Sequence, residues 1–372
     1  MPPNTRAIAS HYFCIFLILL SFSCKGDGQS KKDSKLIFKE DLQRFGYTFH
    51  EGPGVLSIYG DLAFLSNDLL LVSVRESPGK RPRSTMLLLN VREQRVVRST
   101  ELPVREVSNA VIPIQYSRFL MLSNQGWQIC SVEFVCGEPL PTAWPVSVSP
   151  DGSRATMGGF RQQRWIELNP TYSSLQESWQ NGTAITQAIM QAPDQTTAGI
   201  RIERFLSRRF PPIAGETGWL FATQSTTSFQ VPGKQKVDLR IGGEARFVNS
   251  ARVIGIKKDK ATMVTLDGTM IYQVPGKLHA RASFITCSSG QRFGIFELGY
   301  RRMSSWIDFG DENGAFNLAR VRVFDVASGH QLFDHKWDPG HDQSFSIKPV
   351  MSPDGHRVAI VMRGQLLVYE IP

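Results

Sequence analysis

Three histidines, His330, His335 and His341, fall in a short stretch that also carries Asp334, Asp338 and Asp342. Imidazole and carboxylate are the side chains zinc takes as ligands. Their intervals match no recurrent zinc motif, so the stretch reads as a solvated loop and no metal is assigned. Asp308, Asp311, Glu312 and Asn313 before Gly314 form an oxygen-rich set of the kind calcium prefers. The spacing is not that of an EF-hand loop, and an acidic surface loop is the expectation. The chain has no Gly-x-Ser-x-Gly elbow, no Walker loop, no His-Glu-x-x-His and no Cys-x-x-Cys. No residue is therefore marked as catalytic, and no cofactor is expected.

The cysteines say more about compartment than about catalysis. An apolar run from Tyr12 to Cys24 is about a dozen residues long, short of the roughly 20 that span a bilayer as a helix. Its length and flanks are those of a secretory signal. Ser23 directly before Cys24, with a polar stretch behind it, resembles a bacterial lipoprotein signal in which the cysteine is acylated after cleavage. Plain cleavage near Ser23 is the alternative. Residues 1–24 are thus expected to be a signal peptide and 25–34 a flexible tether. Export permits disulfides. Cys130 and Cys136 are close enough in sequence to close a small loop, provided the chain turns between them, because a continuous strand would hold the sulfurs apart. Cys287 has no evident mate and reads as a core thiol.

The formal charge is +9. Arg75, Lys80, Arg81 and Arg83 belong to one inter-strand loop, and Arg201, Arg204, Arg208 and Arg209 to a later insertion. Lys257, Lys258 and Lys260 sit at a hairpin tip. Basic loops favour anionic partners such as lipid or polysaccharide surfaces, or else simply keep a β-rich body soluble. An exported chain has little occasion to meet nucleic acid.

The elements that carry these loops announce themselves by repetition. Ser149-Pro150-Asp151-Gly152-Ser153-Arg154 opens one segment and Ser352-Pro353-Asp354-Gly355-His356-Arg357 opens another. In both, a tight turn and an arginine lead into an apolar strand, a polar tip and a second strand. Asn67-Asp68, Asp267-Gly268 and Ser328-Gly329 mark further hairpins between β-branched and apolar runs. Seven such units fit the mature chain, averaging about 48 residues, near the length of a propeller blade. The last unit stops one strand short. Leu36-Ile37-Phe38 or Tyr47-Thr48-Phe49-His50 could supply that strand from the N-terminus and remove the exposed edges.

The two Ser-Pro-Asp-Gly turns resemble those of the WD40-like β-propellers of exported bacterial proteins. The resemblance implies an all-β fold: a seven-bladed β-propeller of four-stranded antiparallel blades, its ring closed by an N-terminal strand, filling 35–372 as a single domain. The Ser-Pro-Asp-Gly residues themselves read as structural. The expected protein is a monomeric binding or scaffold platform of the bacterial periplasm or outer membrane. It would be held to the membrane by its lipid anchor alone, and would present loops to an unknown protein partner or an anionic envelope surface. The rival is a propeller-type enzyme, lactonase-like or quinoprotein-like, with acidic or amide groups converging at the central channel. Fold alone does not choose between them.

Overall fold

A strand buried on both faces carries an unbroken apolar run, whereas a strand with one wet face alternates. Both patterns occur here, and their order along the chain explains the architecture. Leu70, Leu71, Val72 and Val74 are all at most 1% exposed, so neighbours cover both faces of that strand. In Gln331–Trp337, by contrast, Phe333 and Trp337 are buried while Gln331, Asp334 and Lys336 face solvent. Unbroken strands lie inside and alternating strands at the rim.

The computed structural model describes residues 34–46, 60–75, 84–102, 111–115, 117–123, 126–137, 147–159, 162–167, 213–222, 226–231, 234–278, 281–299, 318–337, 348–362 and 364–372. Among these, the strands form seven antiparallel sheets, five of four strands and two of three. The first contains Gly60–Phe64, Leu69–Arg75, Ser84–Asn90 and Arg95–Leu102. The second contains Val111–Ile114, Arg118–Ser123 and Gly126–Cys130, and the third Ser147–Val148, Arg154–Gly159 and Gln162–Glu167. Ile213–Ala214, Trp219–Ala222, Thr227–Gln230 and Val237–Asp238 make the fourth. The fifth has Gly242–Asn249, Arg252–Lys257, Lys260–Thr265 and Met270–Gln273; the sixth has Arg281–Thr286, Arg292–Gly299, Leu318–Asp325 and Gln331–Trp337. Val350–Met351, Arg357–Met362 and Gln365–Glu370 belong to the seventh.

The seventh sheet also takes in Lys35–Asp41, which pairs antiparallel with Gln365–Glu370 from Lys35 opposite Glu370 to Asp41 opposite Gln365. Of the two N-terminal stretches weighed from sequence, Leu36–Phe38 lies in this strand, and Tyr47–His50 falls outside the described residues. A 3-10 turn, Leu42–Phe45, follows, and the Leu42 amide donates to the Gly364 carbonyl at 2.8 Å.

The apolar core is divided among the seams between sheets. One cluster joins Phe38, Val361, Leu366 and Val368 of the seventh sheet to Leu62, Leu70, Val72 and Leu87 of the first. Others join first to second through Leu71, Met86, Phe119 and Met121, and fourth to fifth through Leu220, Phe229, Phe247 and Val253. The fifth meets the sixth through Ile254, Met263, Phe293 and Phe324, and the sixth meets the seventh through Phe296, Val321, Val358 and Ile360. Fully burying each such side chain is worth about 1.5–3 kcal/mol, so each of these five seams is a hydrophobic layer in its own right. The whole is an all-β propeller built of four-stranded antiparallel blades.

Candidate functional site

The turn that opens a blade is built by its own side chains. The Ser352 hydroxyl donates to Asp354 Oδ1 at 2.5 Å and accepts from the Arg357 amide at 2.9 Å, and Asp354 Oδ1 accepts from the His356 amide at 2.9 Å. Ser149, Asp151, Ser153 and Arg154 repeat this, with Ser149 Oγ to Asp151 Oδ1 also 2.5 Å. Thr265 and Asp267 do the same in the fifth sheet without a proline. There the Thr265 hydroxyl and the Thr269 amide hold the Asp267 carboxyl down at about 2. Gly152 and Gly355 stand at φ 73° and 79°, where a Cβ is disfavoured. A Cβ on Gly152 would also lie 2.8 Å from the Gln115 amide nitrogen of the second sheet, so the turn presses directly on its neighbour.

At three hairpins the arginine that opens the following strand, Arg252, Arg292 or Arg357, reaches the next sheet. Arg357 of the seventh sheet donates to the Asn67 carbonyl and pairs with Asp68 Oδ1 at 2.6 Å in the first, while the Asp354 amide donates to Asn67 Oδ1 at 3.0 Å. Arg292 of the sixth donates to the Gly355 and Ile371 carbonyls of the seventh at 3.3 and 3.4 Å. Arg252 of the fifth donates to the Val326 carbonyl of the sixth at 2.7 Å, and the Tyr272 hydroxyl donates to the same oxygen at 2.9 Å. Burial pushes the Tyr272 phenol up to about 12. Glu216 of the fourth sheet lies beside Asp151 and Arg154 of the third. Burial first, and then the Asp151 charge, raise its carboxyl above the ordinary range. Of the two arginines that follow the Ser-Pro-Asp-Gly turns, Arg357 is thus a cross-seam fastener, and Arg252 and Arg292 do the same at other hairpins. Their acceptors, Asn67, Asp68 and the carbonyls of Val326 and Gly355, carry no sequence signal except their place at hairpin tips.

The sixth sheet contains a buried ion pair that sequence reading passed over. Arg322 and Glu297 are 3% and 0% exposed, with Nη2 and Nε of the guanidinium 2.8 and 2.9 Å from the same carboxylate oxygen. Arg322 Nη1 also donates to the Pro275 carbonyl, in the connection from the fifth sheet, at 3.1 Å. Beside it Arg320 forms a two-pronged bond with Asp334 at 2.8 and 2.6 Å. Burial opposes ionisation of Asp334, but the Arg320 bonds and charge outweigh it and hold the carboxyl below its usual value.

Cys130 and Cys136 are disulfide-bonded, with Cα atoms 4.1 Å apart. The required turn is present: the Phe134 amide donates to the Ser131 carbonyl and the Ser131 amide to the Val135 carbonyl, both at 3.0 Å. Phe134 adopts φ 62°, unusual for a bulky residue, and its ring packs edge-on against Phe119 at 6.2 Å. Arg98 Nη1 of the first sheet braces the loop through the Glu133 carbonyl at 3.3 Å. Cys287 is buried and free, its sulfur 3.2 Å from Ser289 Oγ.

The basic positions are only partly placed. Arg75 ends the second strand of the first sheet, opposite Ser84. Lys80, Arg81, Arg83, Arg201, Arg204, Arg208 and Arg209 lie outside the described residues, as does Cys24. Lys258 and Asp259 form the tip between Arg252–Lys257 and Lys260–Thr265 with φ 49° and 60°, a left-handed turn made without glycine. His330 is an exposed turn residue and His335 lies in the seam between the sixth and seventh sheets. His341, Asp338, Asp342 and the Asp308–Gly314 loop are outside the described residues. Among the described residues, no group of three or more His, Cys, Asp or Glu side chains is gathered as metal ligands would be.

No family model matches the chain, and no curated protein matches it. Among solved structures it is similar to Sqt1 of Chaetomium thermophilum, crystallised bound to the N-terminus of the ribosomal protein L10. The identity is 10% and the TM-score 0.51, over 91% of this chain and 100% of that one. At that identity the likeness is one of fold, and with the strand order above it shows a WD40-like β-propeller.

Proposed function

We propose that this chain is an exported, non-catalytic binding platform of the bacterial cell envelope, anchored through an acylated Cys24. In this proposal the seven sheets among the described residues are the blades of one ring, and Lys35–Asp41, paired with Gln365–Glu370, serves as the outer strand of the last. The carrying observation is the use made of the hairpin arginines. Arg252, Arg292 and Arg357 each spend their donors on the neighbouring sheet, which fixes blade against blade. That leaves the connections at the opposite strand ends free to vary in sequence. A rigid frame with variable connections loses little conformational entropy when a partner docks. Sqt1, to which the chain is similar in fold, is bound to the N-terminus of a ribosomal protein in its crystal structure, which supports a protein partner here as well. The basic loops Arg75, Lys80, Arg81 and Arg83, and Arg201, Arg204, Arg208 and Arg209, suit a partner or surface rich in negative charge.

The test is crosslinking in intact cells, followed by purification from the membrane fraction. Three chains are compared: wild type, Cys24→Ser, and a charge-reversed chain with Glu at positions 75, 80, 81 and 83. Wild type is expected in the membrane fraction with a discrete crosslinked partner, Cys24→Ser in the soluble periplasmic fraction, and the charge-reversed chain without the partner. A wild-type chain retained in the cytoplasm, or crosslinks identical in all three, refutes the reading.

A further inference from the structure

The seam between the sixth and seventh sheets contains a histidine, His335, toward which no carboxylate among the described residues is turned. His335 sits on the outer strand of the sixth sheet between Phe333 and Trp337. Its ring centroid is 5.0 Å from Tyr369 of the seventh sheet, 5.7 Å from Trp337 and 6.2 Å from Phe333. Trp337 in turn stacks on Phe296 at 6.1 Å, and Phe333 lies 5.5 Å from Tyr369, so the imidazole is one ring in an aromatic layer that spans the seam. His335 Nε2 and Trp337 Nε1 are both buried without a hydrogen-bond partner.

The charges nearby are already committed. Asp334 precedes His335 but alternates to the other face of the strand, where Arg320 grips both its oxygens. Lys336 follows, also exposed, and adds only positive charge. On the adjacent strand the register partner of His335 is Val321, flanked by Arg320 with its Asp334 and Arg322 with its Glu297. From the seventh sheet the facing titratable group is Tyr369, whose phenol is pushed up by burial and stays neutral. A proton on His335 would therefore place a charge and an unaccepted N–H against aromatic rings, with no carboxylate among the described residues turned toward it.

We infer that His335 makes this seam acid-sensitive: its neutral ring packs the seventh sheet against the sixth, and its protonated ring loosens that contact. Burial lowers the imidazole below its ordinary value, outweighing the opposing charge of Asp334. The direction follows from linkage. With the folded-state pKa depressed, the stabilisation is complete above the unfolded value of 6.5 and is lost as pH falls from there through the folded value. The consequence is local, because Gln365–Glu370, which carries Tyr369, is also the strand that pairs with Lys35–Asp41. Loosening it weakens the hold on both chain ends at once. The inference stands on this packing and does not depend on the proposed function.

Urea unfolding of the full chain at pH 7.5 and pH 5.0 tests it, with His335→Phe as the variant that keeps an aromatic ring and cannot take a proton. The midpoint of wild type is expected to fall on acidification, and at least half of that fall to disappear in His335→Phe. Amide exchange in Gln331–Trp337 and Gln365–Glu370 is expected to speed up in acid, beyond the intrinsic pH effect, more than exchange in Arg252–Lys257. An NMR titration of the wild-type ring decides the matter even if the variant folds poorly, since it requires no substitution. Titration at or above 6.5, or a midpoint shift that survives intact in His335→Phe, overturns the inference.

Discussion

Removing Glu297 should damage this fold more than removing almost any other single side chain. Glu297→Ala leaves the Arg322 guanidinium, only 3% exposed, without the carboxylate that accepts from its Nε and pairs in charge with its Nη2. The Pro275 carbonyl at 3.1 Å satisfies one nitrogen but carries no charge, and the Phe324 face 5.4 Å away offers only a weak cation–π contact. Breaking one side of a buried pair costs about 3–5 kcal/mol, against a total stability of about 5–15 for a typical domain. The reverse change, Arg322→Ala, should cost less. A stranded carboxylate can bind a proton and become neutral, whereas a stranded guanidinium cannot lose one. The gap between the two variants should accordingly widen from pH 7.5 to pH 5. Replacing both, as Glu297→Leu with Arg322→Met, removes the desolvated charges together and should return most of the loss. Urea unfolding followed by tryptophan fluorescence gives the midpoints, and the double-mutant cycle gives the coupling. A Glu297→Ala loss below about 1 kcal/mol, or a double variant as weak as the worse single one, would refute the assignment of this pair as desolvated and mutually dependent.

The remaining predictions concern seams and turns. Gly152→Ala should destabilise more than Gly355→Ala, because both positions need positive φ but the first Cβ meets backbone at 2.8 Å and the second a flexible Arg292 side chain at 3.1 Å; thermal midpoints compare them directly. Arg357→Ala should cost about 0.5–1 kcal/mol, since its Asp68 partner is 37% exposed and screened, and added salt should erase part of the difference from wild type. Opening the Cys130–Cys136 loop by Cys136→Ser should cost about 2 kcal/mol from the entropy of so short a loop, read as a shift of the urea midpoint that reductant reproduces in wild type. Acid should weaken the Arg320–Asp334 bond in a defined sense. The folded Asp334 pKa is depressed, so its contribution is whole above the unfolded value of 3.8 and fades as pH falls through the folded one, a dependence that Asp334→Asn should abolish.

Local turn chemistry made much of the architecture legible. Asp267-Gly268 and Ser328-Gly329 lie in turns between strands because glycine takes the left-handed conformation there, at φ 86° and 70°. Ser352-Pro353-Asp354-Gly355 could be read as structural because serine and aspartate close the turn on their own backbone. What stayed hidden was whatever depends on two distant segments meeting. Nothing in Asn67-Asp68 tells a reader that Arg357, 289 residues later, will bond to it. Glu297 and Arg322 look like ordinary surface charges until the neighbouring sheets cover both faces of their strands. His335 invited a metal reading through its neighbours in sequence, yet its neighbours in space are rings, because period-two alternation sends Asp334 to the other side. The Cys130–Cys136 loop was accessible only conditionally, since the turn that lets the sulfurs meet relies on Phe134 adopting a conformation its residue type disfavours.

The division of the core among the seams also bears on how the molecule can be cut. Each of the five hydrophobic layers is shared by two sheets, so a fragment ending at one of those seams carries half a layer, greasy and open, and the complementary fragment carries the matching half. Two such pieces produced together, divided for instance between the fourth and fifth sheets, have a ready-made reason to find each other, whereas either piece produced alone has a reason to clump.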